Sequence, residues 1–141
     1  MYRRGRPIDP IFEPAEWLYH RCKLEEVDGD RLLPTAISFR NWSVNRGKYS
    51  EPEDVLIPDW KDWGIAKFRA EHVPGPMNTA GDTVWEFKIE HDPLEDNYSH
   101  SEIRSYKNGA LAPKPQPSDL IKKAFRQIIS DNSAIHRQPR V

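Results

Sequence analysis

The sequence predicts a single α+β domain: a twisted, mainly antiparallel sheet of four or five strands, a short helix near 51–56 and a C-terminal helix near 119–130. Three observations carry this. Trp85, Phe87 and Ile89 alternate with Glu86, Lys88 and Glu90, the period of a half-buried antiparallel strand. Leu120, Ile121, Ala124, Phe125, Ile128 and Ile129 recur at helical spacing opposite Lys122, Lys123 and Arg126. The 141 residues suffice for one core and leave no room for a second.

Residues 1–10 hold three arginines, a glycine and two prolines without apolar periodicity, and read as a mobile basic arm before a core spanning 11–111. Trp17–Cys22 is aromatic-rich and strand-like, and Asp28-Gly29-Asp30 is a turn signal. Pro34–Phe39 reads as a further short strand. Ser50-Glu51-Pro52-Glu53 has the form of a capping box, opening a helix over 51–56 that Pro58 stops. Trp63–Val73 reads as a strand with Ala66, Phe68 and Ala70 on one face. Asp82–His91 is the clearest strand, and Ser101–Tyr106 returns beside it. The prolines of 112–117 predict a stiff extended spacer. Ser118 caps the helix that follows, and residues 132–141 read as a frayed tail.

Composition narrows the classes. A hydrophobic fraction of 37% and a mean hydropathy of −0.82 are low for a globular chain, and five Trp, five Tyr and five Phe supply the apolar area instead. Cys22 is the only cysteine, which excludes an internal disulfide or a cysteine-rich zinc site. A reducing, cytoplasmic setting is the corresponding expectation, and no apolar stretch reaches the length of a membrane span. Charge is unevenly divided. Residues 103–141 carry eight basic and two acidic side chains, a net +6, which leaves 13 basic against 20 acidic, a net −7, on the first 102. Such a tail suits an acidic protein surface, a second copy of the chain or a nucleic-acid backbone.

The run Asn41–Leu56, NWSVNRGKYSEPEDVL, and the later Asp92-Pro93-Leu94, Asp96-Asn97 and His100 resemble two blocks, SVNR…YS-PEDVL and DPL-DN--H, of a group of small bacterial proteins. That group has no established activity. The resemblance implies a small bacterial protein and no particular chemistry.

Two clusters are candidates for a site. In HDPLEDNYSH, residues 91–100, His91, Asp92 and His100 are candidate catalytic groups, and together with Asp96 they are of the type that ligates a metal. Their spacing is not diagnostic, Pro93 argues against a helix, and a polar connector is the competing reading, with no metal and no cofactor. Arg21, Arg31, Arg40 and Arg46 with Trp42 form the second cluster, a candidate basic pocket in which guanidinium groups hold phosphate or carboxylate and the ring stacks on a ligand. No phosphate-cradling glycine pattern accompanies them. Cys22 reads as a buried structural thiol.

The leading functional expectation is an accessory protein that docks a protein partner or a second copy through its last helix. Leu120, Ile121, Phe125 and Ile128 would give the apolar contact, and Lys122, Lys123 and Arg126 the charge. The alternatives are a small enzyme, either a metal-dependent hydrolase at 91–100 or a nucleotide-dependent transferase at the arginine pocket, and a nucleic-acid-binding protein. A single concave pocket lined by both clusters would separate an enzyme or ligand binder from an interaction module.

Overall fold

The structure, a computed structural model, describes residues 2–3, 6–38, 42–56, 60–78, 83–111 and 117–140. A short hairpin of β1 (Tyr2–Arg3) and β2 (Arg6–Pro7) precedes the body. Then come β3 (Trp17–Cys22), the hairpin β4 (Val27–Asp28) and β5 (Arg31–Leu32), β6 (Trp42–Arg46), β7 (Gly64–Arg69) and β8 (Met77–Asn78). The chain continues through β9 (Val84–His91), β10 (His100–Lys107), β11 (Ala110–Leu111), helix α1 (Asp119–Asn132) and β12 (Ala134–Arg137). Single 3-10 turns occupy Leu24–Glu26, Pro34–Ala36, Pro52–Leu56 and Ala70–His72.

The main sheet runs β12-β7-β3-β6-β10-β9-β8, antiparallel at each pairing, with β11 added to β10. The α+β class therefore holds, with one helix and mostly antiparallel strands, but the sheet exceeds the four or five strands expected. The additions are β6, five residues at the middle of the sheet, and the shorter β8, β11 and β12. A two-residue strand such as β8 or β11 is too brief to display a period of two.

Alternation along the strands sorts the side chains into two layers. Leu18 and Cys22 of β3, Val44 of β6, Ala66 and Phe68 of β7, Trp85 and Phe87 of β9 and Ile103 of β10 share one buried cluster with Ile121, Phe125 and Ile129 of α1. Phe87 and Phe125 meet at a ring-centroid distance of 4.3 Å. On the opposite face Tyr19, Ile65, Val55 and Leu56 form a second cluster edged by Trp17, Trp60 and Trp63. The register expected for β9 is observed, with Trp85 and Phe87 buried and Lys88 exposed.

Several expectations are corrected. Pro34–Ala36 is a 3-10 turn, since a proline start and one turn of i→i+3 bonding leave no strand; Phe39 lies outside the described residues. Pro52–Leu56 is also 3-10, and its cap differs: Asp54 accepts from the Glu51 amide, while the Ser50 hydroxyl donates to the Arg46 carbonyl at 2.8 Å. The strand from Gly64 stops at Arg69, before Ala70. Most of the 112–117 spacer lies outside the described residues.

The tail is not frayed. β12 pairs with β7, the Arg140 amide donates to the Asp62 carbonyl at 2.8 Å, and a Cβ on Gly64 would stand 2.6 Å from the Arg137 carbonyl, so this approach needs glycine. Nor is all of the arm loose. The Asp9 amide donates to His91 Nδ1 and the Asp9 carboxylate accepts from Lys48 and Tyr49.

The partner-contact reading of α1 needs the largest revision. Ser118 caps it as expected, through the Ile121 amide. Ile121 and Phe125, however, lie in the chain's own core, Ile128 is half-buried and Arg126 Nε donates to the Ile37 carbonyl at 2.9 Å. The apolar stripe that needed a partner finds it in cis. Leu120, 70% exposed, Lys123, Gln127 and also Ala124, expected on the apolar side, face outward, and Lys122 is half-buried. Among the described residues no helix is long and apolar enough to cross a membrane.

Candidate functional site

β3 and β6 pair at Leu18↔Arg46 and Tyr19↔Asn45 only. Beyond this point the Ser43 carbonyl is taken by the side chain of His20, through Nδ1 at 2.8 Å, instead of by a ladder amide. The strands part there. A groove of about 960 Å³ opens along the parting, lined by Tyr19, Arg21, Ser43, Asn45, Trp60 and His100 among others. Successive side chains on a strand alternate faces, so Tyr19 with Arg21, and Ser43 with Asn45, project to the same side.

One wall is cationic and aromatic. The Arg21 guanidinium lies 3.9 Å from the Trp60 ring centroid and 5.8 Å from that of Trp63, and Lys23 Nζ lies 5.1 Å from Trp63. Trp60 and Trp63 pack edge to face, which makes the shelf rigid. Burial draws the Arg21 guanidinium below its ordinary value. It has no acid partner among the described residues, whereas Arg31, Arg46 and Arg104 each have one.

The opposite wall is polar. His100 Nδ1 meets the Asp92 carbonyl at 2.8 Å, which makes Nδ1 the protonated nitrogen and leaves the Nε2 lone pair toward Ser43 Oγ, 3.3 Å away. Asn45 Oδ1 accepts from Asn97 Nδ2 at 2.9 Å, while Asn45 Nδ2 is buried without a partner among the described residues. Leaving such a donor unpaired costs about 1–3 kcal/mol. His20 packs against Trp42 at a tilt, ring centroids 4.6 Å apart, and desolvation lowers its pKa to about 4, so the ring is neutral. Desolvation, with the nearby charges of Glu51 and Glu53, raises the pKa of Tyr19.

The two sequence clusters therefore meet, but not as whole clusters. Arg21 and Trp42 line the groove together with Asp96 and His100. Arg40 lies outside the described residues. Arg31 is on the far hairpin, bonded to Asp131 of α1 at 3.0 Å. Arg46 is fully buried: it binds Glu16 in a two-pronged contact at 2.8 and 2.9 Å, donates to the Asp9 and Ile11 carbonyls, and packs on Phe12. It fixes the segment before β3 to the sheet, and being fully buried it presents no donor to a ligand.

His91 is likewise committed. Its Nδ1 accepts from the Asp9 amide at 2.8 Å and its Nε2 donates to the Tyr98 carbonyl at 2.6 Å. Burial lowers its pKa. Asp92 and His100 do converge, with Glu102, each offering a ligand atom within 4.8 Å of the others. Yet Arg104 already fills this space, bonding Asp92 at 3.0 Å, Glu102 at 2.6 Å and Glu90 at 2.9 Å. Burial opposes its charge, but Glu90 and Glu102 outweigh burial and raise its pKa. A resident guanidinium leaves little attraction for a metal cation.

Sequence reasoning missed Ser43, Asn45, Trp60 and Trp63. Period-two spacing from Arg21 to Tyr19 and Lys23 was the available signal for one wall; for the other, nothing local relates Ser43 to His100, 57 residues away. Comparison of the chain with protein-family models, curated proteins and solved structures finds no match.

Proposed function

We propose that this chain is a small-ligand-binding protein whose groove takes a molecule bearing a carboxylate or phosphate, with Arg21 as the anion-recognising group. The observation that carries the reading is the Arg21 guanidinium, shelved on Trp60 and without an acid partner among the described residues, at the wall of a groove of about 960 Å³. A half-buried guanidinium held over indole is oriented before the ligand arrives, which limits the ordering cost of binding. Lys23 adds charge on the same side, and the polar wall of Asn45 and His100 supplies groups that fix orientation.

Docking through α1 has less support, because Ile121 and Phe125 are already used in the core. Nucleic-acid binding by the basic tail is weakened in the same way: Arg126, Arg137 and Arg140 make contacts to Ile37, Lys61 and Asp62 of the chain's own body.

Tryptophan fluorescence tests the reading, since Trp60 and Trp63 lie beside the anion position. Titration with benzoate and with inorganic phosphate is expected to give saturable quenching by at least one of them. Arg21→Ala is expected to weaken it on the order of 10- to 100-fold, the worth of one charge-assisted hydrogen-bonded contact. Binding unchanged in Arg21→Ala would sink the proposal.

A further inference from the structure

We propose that Ser43 and His100 act as nucleophile and base, so that the groove hydrolyses a carboxylic ester bearing an acidic group; this rests on the reading of the groove as a ligand site. The geometry has three parts. Ser43 Oγ stands 3.3 Å from His100 Nε2, close to the window of about 2.6–3.2 Å for a nucleophile and its base, which is commonly looser before substrate binds. The Asp92 carbonyl holds the His100 proton on Nδ1, so Nε2 is the basic nitrogen on the Ser43 side. Glu102 Oε2, 3.8 Å from Nε2, is placed to stabilise the imidazolium that a proton transfer creates.

Arrangement on the sheet supplies the rest. His20 takes the Ser43 backbone carbonyl and not its hydroxyl, so Oγ keeps its proton for His100. From the paired positions Tyr19↔Asn45, Arg21 lies two residues on and Ser43 two residues back, which brings both to the same end of the same sheet face. Arg21 thus shares the groove with the nucleophile as a positive charge able to bind the substrate's acidic group.

In the first half-reaction Ser43 Oγ bonds to the ester carbonyl carbon as its proton passes to His100 Nε2, and the carbonyl electron pair moves onto oxygen. That pair returns, the carbon–alkoxide bond breaks, and His100 gives its proton to the departing alcohol. In the second, water attacks the acyl carbon while His100 takes its proton. The carbon–Oγ bond then breaks, Ser43 recovers the proton, and a carboxylic acid leaves. Water is the sole co-reactant, and no oxidant or reductant enters.

Labelling with an alkyl fluorophosphonate, followed by peptide mass mapping, is the test. The wild-type chain is expected to gain one adduct on Ser43, lost in Ser43→Ala and formed about 100-fold or more slowly in His100→Gln. A 4-nitrophenyl ester with a free carboxylate should be cleaved with the same dependence, and faster than neutral 4-nitrophenyl acetate. Urea unfolding midpoints of both variants establish that they are folded. Should His100→Gln unfold, His100→Asn replaces it and must slow the labelling of Ser43 in the same way. An adduct elsewhere, no adduct, or labelling as fast in the folded His100 variant as in wild type overturns the proposal. Benzoate binding to Ser43→Ala reads the groove apart from its chemistry. If Arg21-dependent binding of benzoate or phosphate persists while labelling of the wild-type chain is absent, only the reaction falls; if neither anion binds, both fall.

Discussion

Arg46 and Arg31 illustrate how little a residue's type says about its role. Both are arginines near the first strands, yet Arg46 is fully buried on Glu16, whereas Arg31 is half-exposed on Asp131. Removing one member of a buried, hydrogen-bonded pair leaves an uncompensated charge, so Arg46→Ala is expected to cost about 3–5 kcal/mol in urea denaturation. Arg31→Ala, at a solvated pair, is expected to cost no more than about 1 kcal/mol. Equal costs would show that Arg46 does not anchor the 9–16 segment. A similar contrast holds along β9. Phe87→Ala opens the contact with Phe125 and is expected to cost about 3–5 kcal/mol, while Lys88→Ala on the exposed face stays within about 0.5 kcal/mol.

Among the elements, β9 and α1 were legible because each is long enough to show its period, and Ser118 because a cap is a local event. The short strands and β12 were not. β12 pairs with β7, far outside any local window, whereas β8 and β11 lie close in sequence to their partners β9 and β10 but are too short to show a period. The site divides in the same manner: chemistry alone marks Arg21 and His100, but Arg46 reads as a pocket residue because Glu16, its partner 30 residues back, gives no local signal.

Two neutral histidines set the pH response of these elements. His20 holds the parting of β3 from β6, and His91 holds Asp9 to the loop before β10. Burial places the folded-state pKa of His20 at about 4, below its ordinary 6.5, and lowers that of His91 in the same direction. The unfolded chain therefore binds these protons first: stability is complete above pH 6.5 and declines as pH falls toward 4. Urea midpoints measured between pH 7.5 and 4.5 should show this decline, and His20→Gln should flatten it. An identical slope in the variant would remove His20 from the account.

For the molecule as a whole, the basic C-terminal third closes on its own acidic body. β12 pairs with β7, Arg137 donates to the Lys61 carbonyl and Arg140 approaches Asp62 at 3.9 Å. Truncation before Ser118 would remove Ile121, Phe125 and Ile129 from the main core, together with a strand of the sheet. The expected result is loss of a cooperative melting transition, read by circular dichroism with sedimentation to report size. A truncated chain that still melts sharply would mean that α1 is not core.

The two-pair ladder between β3 and β6 has a dynamic consequence. The sheet is sewn tightly on either side, with six register pairs from β3 to β7 and seven from β10 to β9, and only lightly at its middle. Local opening should follow this seam. Amide hydrogen exchange would then be fastest, among the sheet interior, at the β6 positions facing the groove, and slower in β7 and β9. Occupancy of the groove by an anion would bridge the two halves, so protection at Ser43, which faces β3, should rise on binding while that of the flanking ladders stays where it was.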